Sequence, residues 1–405
     1  MADGIYWVGA SVSSSDLFEG IWPIPDGVTL NSYVVKGDKT AVIDLVRDWG
    51  GAPMYVLEAV QSLGIDVNNI DYIVLNHLEP DHTGWLEILH KITKAKVVTT
   101  QKGAELAKAL YHISDNEIIV VKSGDKIELG KGKTLVFEEI PNVHWPETMV
   151  TYETQSKILF SCDAFGSFGG LRGSIFDDEN NEENHKYFME ETVRYYANIV
   201  GPFSQNVLNA IDKLKGLEIK MIAPSHGLIW RGNVERIIKR YIAYANYMKD
   251  YSEPEITVVW GTMYGNTEKM LRAILEGIGK ETVTVHIFKV PETDVSYILG
   301  KAWKSAGLLI GMPTYEYKMF PPMKYVLDIF AQKRVMYKKV LRFGSFGWSG
   351  GAQKQFEETI KTLKWDLLEP LDFKGSPTAE ELEKGVKLGQ ELAKLVKAIP
   401  KKCNF

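Results

Sequence analysis

Apolar positions along the chain fall into two textures that meet near residue 252. Downstream, short β-branched and aliphatic runs at 256–260, 283–288, 307–311 and 340–344, with a weaker one at 365–371, alternate with helical stretches. Those helices start near Asn266, Asp294, Pro322 and Gln353. A last one begins at Thr378, where Glu381 three residues on completes a capping box. Five strands alternating with helices predict a doubly wound parallel sheet. Upstream, strand-like runs dominate, at 31–35, 40–45, 72–75, 95–99, 117–121, 134–140, 149–151 and 158–162. Helices are expected near 54–63, 105–111 and 185–200. Mixed strands and helices over about 250 residues predict an α/β sandwich and not a second parallel sheet.

Between the two textures, Ile237, Ile238, Tyr241, Tyr244 and Met248 line one face of a helix. The stretch then meets Tyr251-Ser252-Glu253-Pro254-Glu255, and the residue ahead of a proline resists the helical region. Two domains are expected, residues 1–252 and 253–405, joined by a short linker at 252–255. With 405 residues, 45% of them hydrophobic, the chain can bury two large cores. The 47 basic and 52 acidic residues leave a net charge of -5, which offers no footprint for nucleic acid or an anionic membrane. No run of about 18 apolar residues spans a bilayer, and the N-terminus has no basic segment of the kind that leads a secretory signal. Two cysteines, Cys162 and Cys403, exclude a disulfide framework and four-thiolate metal sites within the chain. Any metal must be held by His, Asp and Glu, and a reducing cytoplasm is the expected compartment.

One stretch is dense in such ligands. Asn76-His77-Leu78-Glu79-Pro80-Asp81-His82-Thr83-Gly84 follows directly on a strand, with four potential ligands in six residues. Alternation sends His77, Glu79 and Asp81 one way, and Pro80 and Gly84 fit a loop that bends them around a small volume. Asp81 and His82 are adjacent, so their side chains can serve different ions. Further candidates stand at predicted strand ends: His144, Asp163 and His226. Four of the eight histidines then belong to one constellation.

Three loops of the downstream half carry a second set of candidates. Gly261-Thr262-Met263-Tyr264-Gly265-Asn266-Thr267 joins the first strand to a helix and is neither a Walker A loop nor G-x-G-x-x-G. Its hydroxyls, the Asn266 amide and the backbone N–H groups of a helix start suit one terminal phosphate. Gly311-Met312-Pro313-Thr314-Tyr315 follows the third strand, and Phe343-Gly344-Ser345-Phe346-Gly347-Trp348-Ser349-Gly350-Gly351 follows the fourth. Ligands of open α/β sheets bind outside the carboxyl ends of the strands. Tyr315, Phe346 and Trp348 can stack on a flat ring system there, and the glycines admit its polar edge.

The ligand run resembles the H-x-H-x-D-H motif of the metallo-β-lactamase fold, with Glu79 where the hydrolases carry their second histidine. A carboxylate in place of an imidazole makes the site harder and more anionic, which favours iron over zinc. With 61 residues between His82 and His144, 18 before Asp163 and 62 before His226, the constellation resembles that of the flavodiiron proteins, all seven positions being filled. The three loops resemble a flavodoxin that binds FMN. The resemblance implies a metallo-β-lactamase-like αββα sandwich followed by a flavodoxin-like, doubly wound, five-stranded parallel sheet. On that basis His77, Glu79 and His144 hold one iron, Asp81, His82 and His226 the other, and Asp163 bridges them. FMN contacts fall on Thr262, Met263, Tyr264, Gly265, Asn266, Thr267, Pro313, Thr314, Tyr315, Glu316, Ser345, Phe346, Gly347, Trp348 and Gly350. The run 194–198 resembles the family's pocket helix, with Tyr195 as hydrogen-bond donor to the substrate and packing as the alternative for either tyrosine there. On the same resemblance, Glu316 stands where many relatives carry Asn, and Glu19-Gly20 where several read His-Gly.

The resemblance implies an oxidoreductase of the two-domain class. FMN takes electrons from rubredoxin or a reduced deazaflavin coenzyme, and the diiron site reduces dioxygen to water or nitric oxide to nitrous oxide. It also implies a head-to-tail homodimer or a dimer of dimers. The rival readings are a binuclear zinc hydrolase with a flavodoxin appendage, and an electron carrier with a dead metal site.

Overall fold

A computed structural model describes residues 1–402; Cys403 lies outside the described residues. By contact the chain divides into two units. The first comprises Met1–Tyr195 and Gln205–Tyr241, the second Tyr196–Ser204 and the chain from Ile242 onward.

The first unit is built on two facing sheets. One has six strands in the order Ile5–Trp7, Tyr33–Lys36, Thr40–Ile43, Tyr72–Val74, Lys96–Thr99 and Ile118–Val120. The other has five: Lys126–Gly130, Lys133–Glu139, Met149–Glu153, Ile158–Cys162 and Met221–Pro224. Side chains alternate across a strand, so Tyr33, Val35, Ala41 and Ile43 of the first sheet meet Leu135, Phe137, Ile158, Phe160 and Ala223 of the second in one core. Val34, Val42, Ile73 and Val97, on the opposite face, are buried too. Burial on both faces is why these strands read as unbroken apolar runs.

The second unit is a parallel sheet in the order Thr284–Lys289, Glu253–Trp260, Ser305–Gly311, Lys339–Phe346, then a fifth position. Two short segments share that position: Asp366–Leu367 pairs with the start of the fourth strand and Leu371–Lys374 with its end. Pro370, which has no N–H for the ladder, lies between them and accounts for the break. The first strand pairs with both the second and the third. The chain therefore turns back beside it, and the three candidate flavin loops leave the carboxyl ends of strands one, three and four.

Several local expectations change. The stretch 252–255 is not an exposed linker: Ser252 and Glu253 are buried, and the strand already begins at Glu253. The register shifts between Glu253 and Ile256, so Pro254 sits in an irregularity of the ladder, where its missing donor is tolerated. Buried Lys338 Nζ lies 2.7 Å from Ser252 Oγ, 3.1 Å from Trp303 O and 2.6 Å from Ser305 O, three acceptors around an amine whose ammonium form burial disfavours. Pro80 does not open a plain loop. It starts a short helix, Pro80–Thr83, after Glu79 in extended conformation, as a proline at the first helical position allows. The helix expected over 185–200 runs as α-helix over Glu182–Tyr195 and widens to a π-turn over Tyr196–Val200.

In the second unit, helices Asn266–Ile278 and Ala379–Lys397 pack closely through glycine. A Cβ on Gly389 would stand 2.1 Å from the Ile274 carbonyl oxygen. Gly389→Ala must push the helices apart, at a cost of about 1–3 kcal/mol. We expect the flavin-release midpoint on heating to fall by roughly 2–10 °C. An unchanged midpoint would show that the helices separate freely.

Candidate functional site

The parallel strands Ile158–Cys162 and Met221–Pro224 end together, Cys162 opposite Pro224, and this brings Asp163 and His226 side by side. The loop after Tyr72–Val74 is tied to the other sheet by Met149 N–H donating to Asn76 O at 2.9 Å. That tie delivers His77, Glu79, Asp81 and His82 to the same point. His144 arrives on the turn between Lys133–Glu139 and Met149–Glu153. All seven residues expected as ligands converge, in two groups. His77, Glu79, His144 and Asp163 form one, and Asp81, His82 and His226 form the other; within each, the donor atoms lie within 4.8 Å of one another.

The distances divide the site around Asp163. Its Oδ2 lies 3.5 Å from His77 Nε2 and 3.5 Å from His144 Nε2. Its Oδ1 lies 3.1 Å from His82 Nε2 and 3.6 Å from His226 Nε2. Glu79 Oε2 stands 3.3 Å from His77 Nε2 and 3.0 Å from His144 Nε2. Asp81 Oδ2 stands 3.1 Å from His226 Nε2, and its Oδ1 3.4 Å from His82 Nε2. Donor atoms about 3.0–3.4 Å apart are the edges of a coordination shell with bonds of about 2.1 Å. Asp81 Oδ1, His82 Nε2 and Asp163 Oδ2 are buried with no hydrogen-bond partner, a cost that a metal ion would remove. The residues present therefore fit two ions, with one carboxylate oxygen of Asp163 turned to each.

Electrostatics agree. Burial alone pushes the His77 imidazole down, but hydrogen bonds to Glu147 and Glu79 outweigh it and hold the group up at about 9. Buried His144 is likewise raised, to about 10, by Asp163 and Glu79. Burial opposes the Asp163 carboxylate, yet the charge of His82, with the imidazoles of His144 and His82 close against it, holds it well below the usual carboxylate range. Without metal, the cluster keeps protons where cations belong. Cys162 is within reach of His82 and Asp163. Burial pushes its thiol well up, so it stays protonated, whereas the thiolate is the ligand form.

An outer layer fixes the imidazoles, and the sequence reading missed it. His77 Nδ1–H donates to Glu147 Oε1 at 2.6 Å, and the same oxygen takes the Leu78 N–H at 3.1 Å. His226 Nδ1–H donates to Thr29 O at 2.7 Å. Both bonds leave Nε2 as the donor atom toward the site. Asp44, buried, accepts from Asn76 N–H at 2.8 Å and Asn76 Nδ2 at 3.0 Å and so anchors the start of the ligand loop.

The two adjacent tyrosines part company. Tyr195 O–H donates to Asp163 Oδ1 at 2.8 Å, and burial, followed by the charges of Asp163 and Asp81, pushes its ionisation well up. Tyr196 instead pairs its hydroxyl with Ser204 Oγ at 2.9 Å. Phe18, at the end of the strand Leu17–Phe18, meets the His226 ring edge-on at 5.3 Å. Phe168 packs between Phe18 and Tyr195. Glu19 accepts from Trp22 Nε1 at 2.8 Å, a bond internal to its hairpin.

In the second unit a cleft of about 440 Å³ opens at the expected sheet edge. Of the anticipated contacts, Thr262, Met263, Tyr264, Asn266, Pro313, Thr314, Tyr315, Glu316, Ser345, Phe346, Gly347 and Trp348 line it. Gly265, Thr267 and Gly350 do not. Gly265, at φ +88°, caps the helix Asn266–Ile278, and its N–H donates to Thr262 Oγ1 at 3.0 Å. Thr267 is buried with its hydroxyl 3.3 Å from Ser345 Oγ. Gly375 lines the cleft unanticipated, tied to Phe346 O at 2.8 Å; its place after the last strand of the same edge was the available signal. Glu316 and Tyr317 both take positive φ and close the two-residue turn between Tyr315 and Lys318. Such a turn suits Asn, so the departure at Glu316 carries backbone strain. Tyr264 and Trp348 stand 91% and 74% exposed at the rim, aromatic surface that a flavin ring would cover.

Comparison with known proteins agrees with both halves. Residues 28–227 match the ODP family of β-lactamases, and residues 258–389 match flavodoxin. The anaerobic nitric oxide reductase flavorubredoxin of Vibrio vulnificus is 34% identical over 404 residues, 97% of this chain and 79% of its own length. Rubredoxin oxygen:oxidoreductase from the anaerobe Desulfovibrio gigas superposes with a TM-score of 0.90 at 30% identity, over 98% of both chains. A variant of the flavo di-iron protein of Thermotoga maritima gives 0.87 at 30% identity, over 97% of both. The chain belongs to the flavodiiron protein family, oxidoreductases that join a diiron unit to an FMN-binding flavodoxin unit.

Proposed function

We propose that this chain accepts electrons from an external donor at the FMN cleft and uses them at the diiron site to reduce dioxygen to water. The observation that carries the reading is Asp163, one oxygen turned to each of two groups of ligands. FMN supplies the conversion of electron pairs into single electrons, and two irons supply a change of oxidation state that zinc lacks. His77, Glu79 and His144 would hold one iron and Asp81, His82 and His226 the other, with Asp163 shared between them. Tyr195 keeps its proton and holds it against Asp163 Oδ1. That hydroxyl is a hydrogen-bond donor beside the site, and water formation consumes one proton per electron. Phe18 and Phe168 keep bulk water from the His226 side. Around FMN, Thr262, Asn266 and the start of their helix take the phosphate, and Tyr315, Phe346 and Trp348 flank the ring.

Reduction of nitric oxide to nitrous oxide at the same residues is the second reading, favoured by the name of the 34% identical Vibrio relative. A rubredoxin-like protein is the donor named for the Desulfovibrio relative, and a reduced deazaflavin coenzyme is the other candidate. A cytoplasmic setting belongs to this reading. Turnover of each gas with the flavin kept reduced decides between them. Zinc at two ions per chain without iron, in protein made with iron available, would overturn the reading altogether.

Asp163→Asn leaves FMN bound and lowers iron content or abolishes turnover, because an amide cannot bridge as an anion. Unchanged iron and rate would show that Asp163 does not join the irons. A second expectation concerns pH. The imidazoles of His77 and His144, raised to about 9 and 10, carry protons at neutral pH in the metal-free protein. Metal must displace them, so uptake at pH 7 releases protons and affinity rises between pH 7 and 9. Indicator-dye titration with Fe(II) measures the release; pH-independent affinity would contradict it.

We also propose a head-to-tail homodimer, or a dimer of dimers, in which the flavin of one copy faces the diiron site of the other. Two-fold symmetry is the commonest closed arrangement. Co-expression of two inactive variants tests it, one with His82→Ala and His226→Ala, the other with Thr262→Ala and Asn266→Ala. Hybrid dimers regain activity at one of their two junctions. An active, strictly monomeric protein refutes the scheme.

A further inference from the structure

Glu147 belongs to no ligand group, yet it is among the most enclosed carboxylates of the first unit, 2% exposed. It lies three residues after His144, on the segment that returns the chain to the sheet, and Thr100 Oγ1 holds its backbone carbonyl at 3.0 Å. Its Oε1 accepts both the His77 Nδ1–H at 2.6 Å and the Leu78 N–H at 3.1 Å. Its Oε2 is buried without a partner. A buried anion held this close to an imidazole N–H draws the proton toward itself and makes the opposite nitrogen a stronger donor.

The other half of the site has no equivalent. His226 gives its Nδ1–H to the neutral carbonyl of Thr29. Asp44, whose charge acts on His82 from outside the ligand set, is turned to Asn76 and to Ser225 Oγ, and none of its hydrogen bonds reaches the His82 ring. Among the described residues, a carboxylate outside the ligand set is therefore hydrogen-bonded to the outer nitrogen of a ligand imidazole at His77 and not at His226 or His82. We propose that Glu147 is a positioning residue that makes the two irons inequivalent: through His77 it strengthens the donor set of the His77–Glu79–His144 position, which binds metal more tightly and holds its iron more readily in the oxidised state. This rests on the diiron reading and adds to it which of the two positions is the easier to oxidise.

Glu147→Gln tests it, since the amide oxygen still accepts both N–H groups while the charge is lost. Co(II) titration of metal-free protein, followed by its visible spectrum, separates two binding steps. We expect the substitution to weaken one step about 10–100-fold and leave the other unchanged. In iron-loaded protein, redox titration should show one iron couple moved to higher potential and the gap between the two couples narrowed. Glu147→Asp, which keeps the charge, should restore much of the difference. Far-UV circular dichroism and the thermal midpoint of the metal-free protein report whether the first unit of each variant is folded. Equal weakening of both steps, or unchanged potentials with both irons in place, would overturn the proposal and leave Glu147 a purely structural residue. A wild-type chain that takes up fewer than two ions would instead overturn the diiron reading, and with it any such role.

Discussion

Asp163 among four imidazoles is the constraint on which the first unit depends. A carboxylate buried this deeply is tolerated only if positive charge surrounds it on both sides. That requirement needs His77, His82, His144 and His226 to arrive from three separate stretches of chain, and the sandwich is the device that brings them. Cys162 opposite Pro224 sets Asp163 beside His226. The Asn31 side chain and the Tyr33 hydroxyl both donate to Pro224 O, at 2.8 and 2.6 Å, and so join the two sheets at the end where the ligands emerge. A slip of one residue along either sheet would turn its core residues outward and carry the ligands out of range together.

The second unit solves the opposite problem. Its cleft is open and rimmed with exposed aromatic surface, whereas the metal site is closed and apolar on one side. A donor is large or planar and must come within reach of a flavin edge. A diatomic gas is small and crosses apolar packing with little hindrance. The two sites thus differ in exposure for the same reason that their partners differ in size.

Most of this was legible in the sequence where identity and spacing carry the chemistry. The run from His77 to His82 announces itself by ligand density, and His144, Asp163 and His226 by their places at strand ends. The flavin loops followed from the order of strands and helices. Glu147 and Asp44 were not legible. A glutamate in a turn has the pattern of any solvent-exposed residue, and only its partners reveal it. The stretch 252–255 misled for a related reason: proline suggests a joint, but Lys338, far along the chain, supplies the hydrogen bonds that bury Ser252. Pro80 pointed to a bend and starts a helical turn instead, because the residue ahead of it is extended in both cases.

The departure at Glu19 is understood in the same terms. At Glu19 this chain places a carboxylate that accepts from Trp22 within its own hairpin, and the neighbouring Phe18 supplies the face toward His226. An aromatic ring at that point gives no proton and holds no water. The Tyr195 hydroxyl, by contrast, donates to Asp163 Oδ1 at 2.8 Å. Burial keeps that hydroxyl from ionising, so it remains a donor across the working pH range. The same hydrogen bond draws electron density from the Asp163 oxygen facing His82 and His226, the side opposite Glu147. On the proposal for Glu147, Tyr195 would withdraw charge from one metal position where Glu147 would add it to the other.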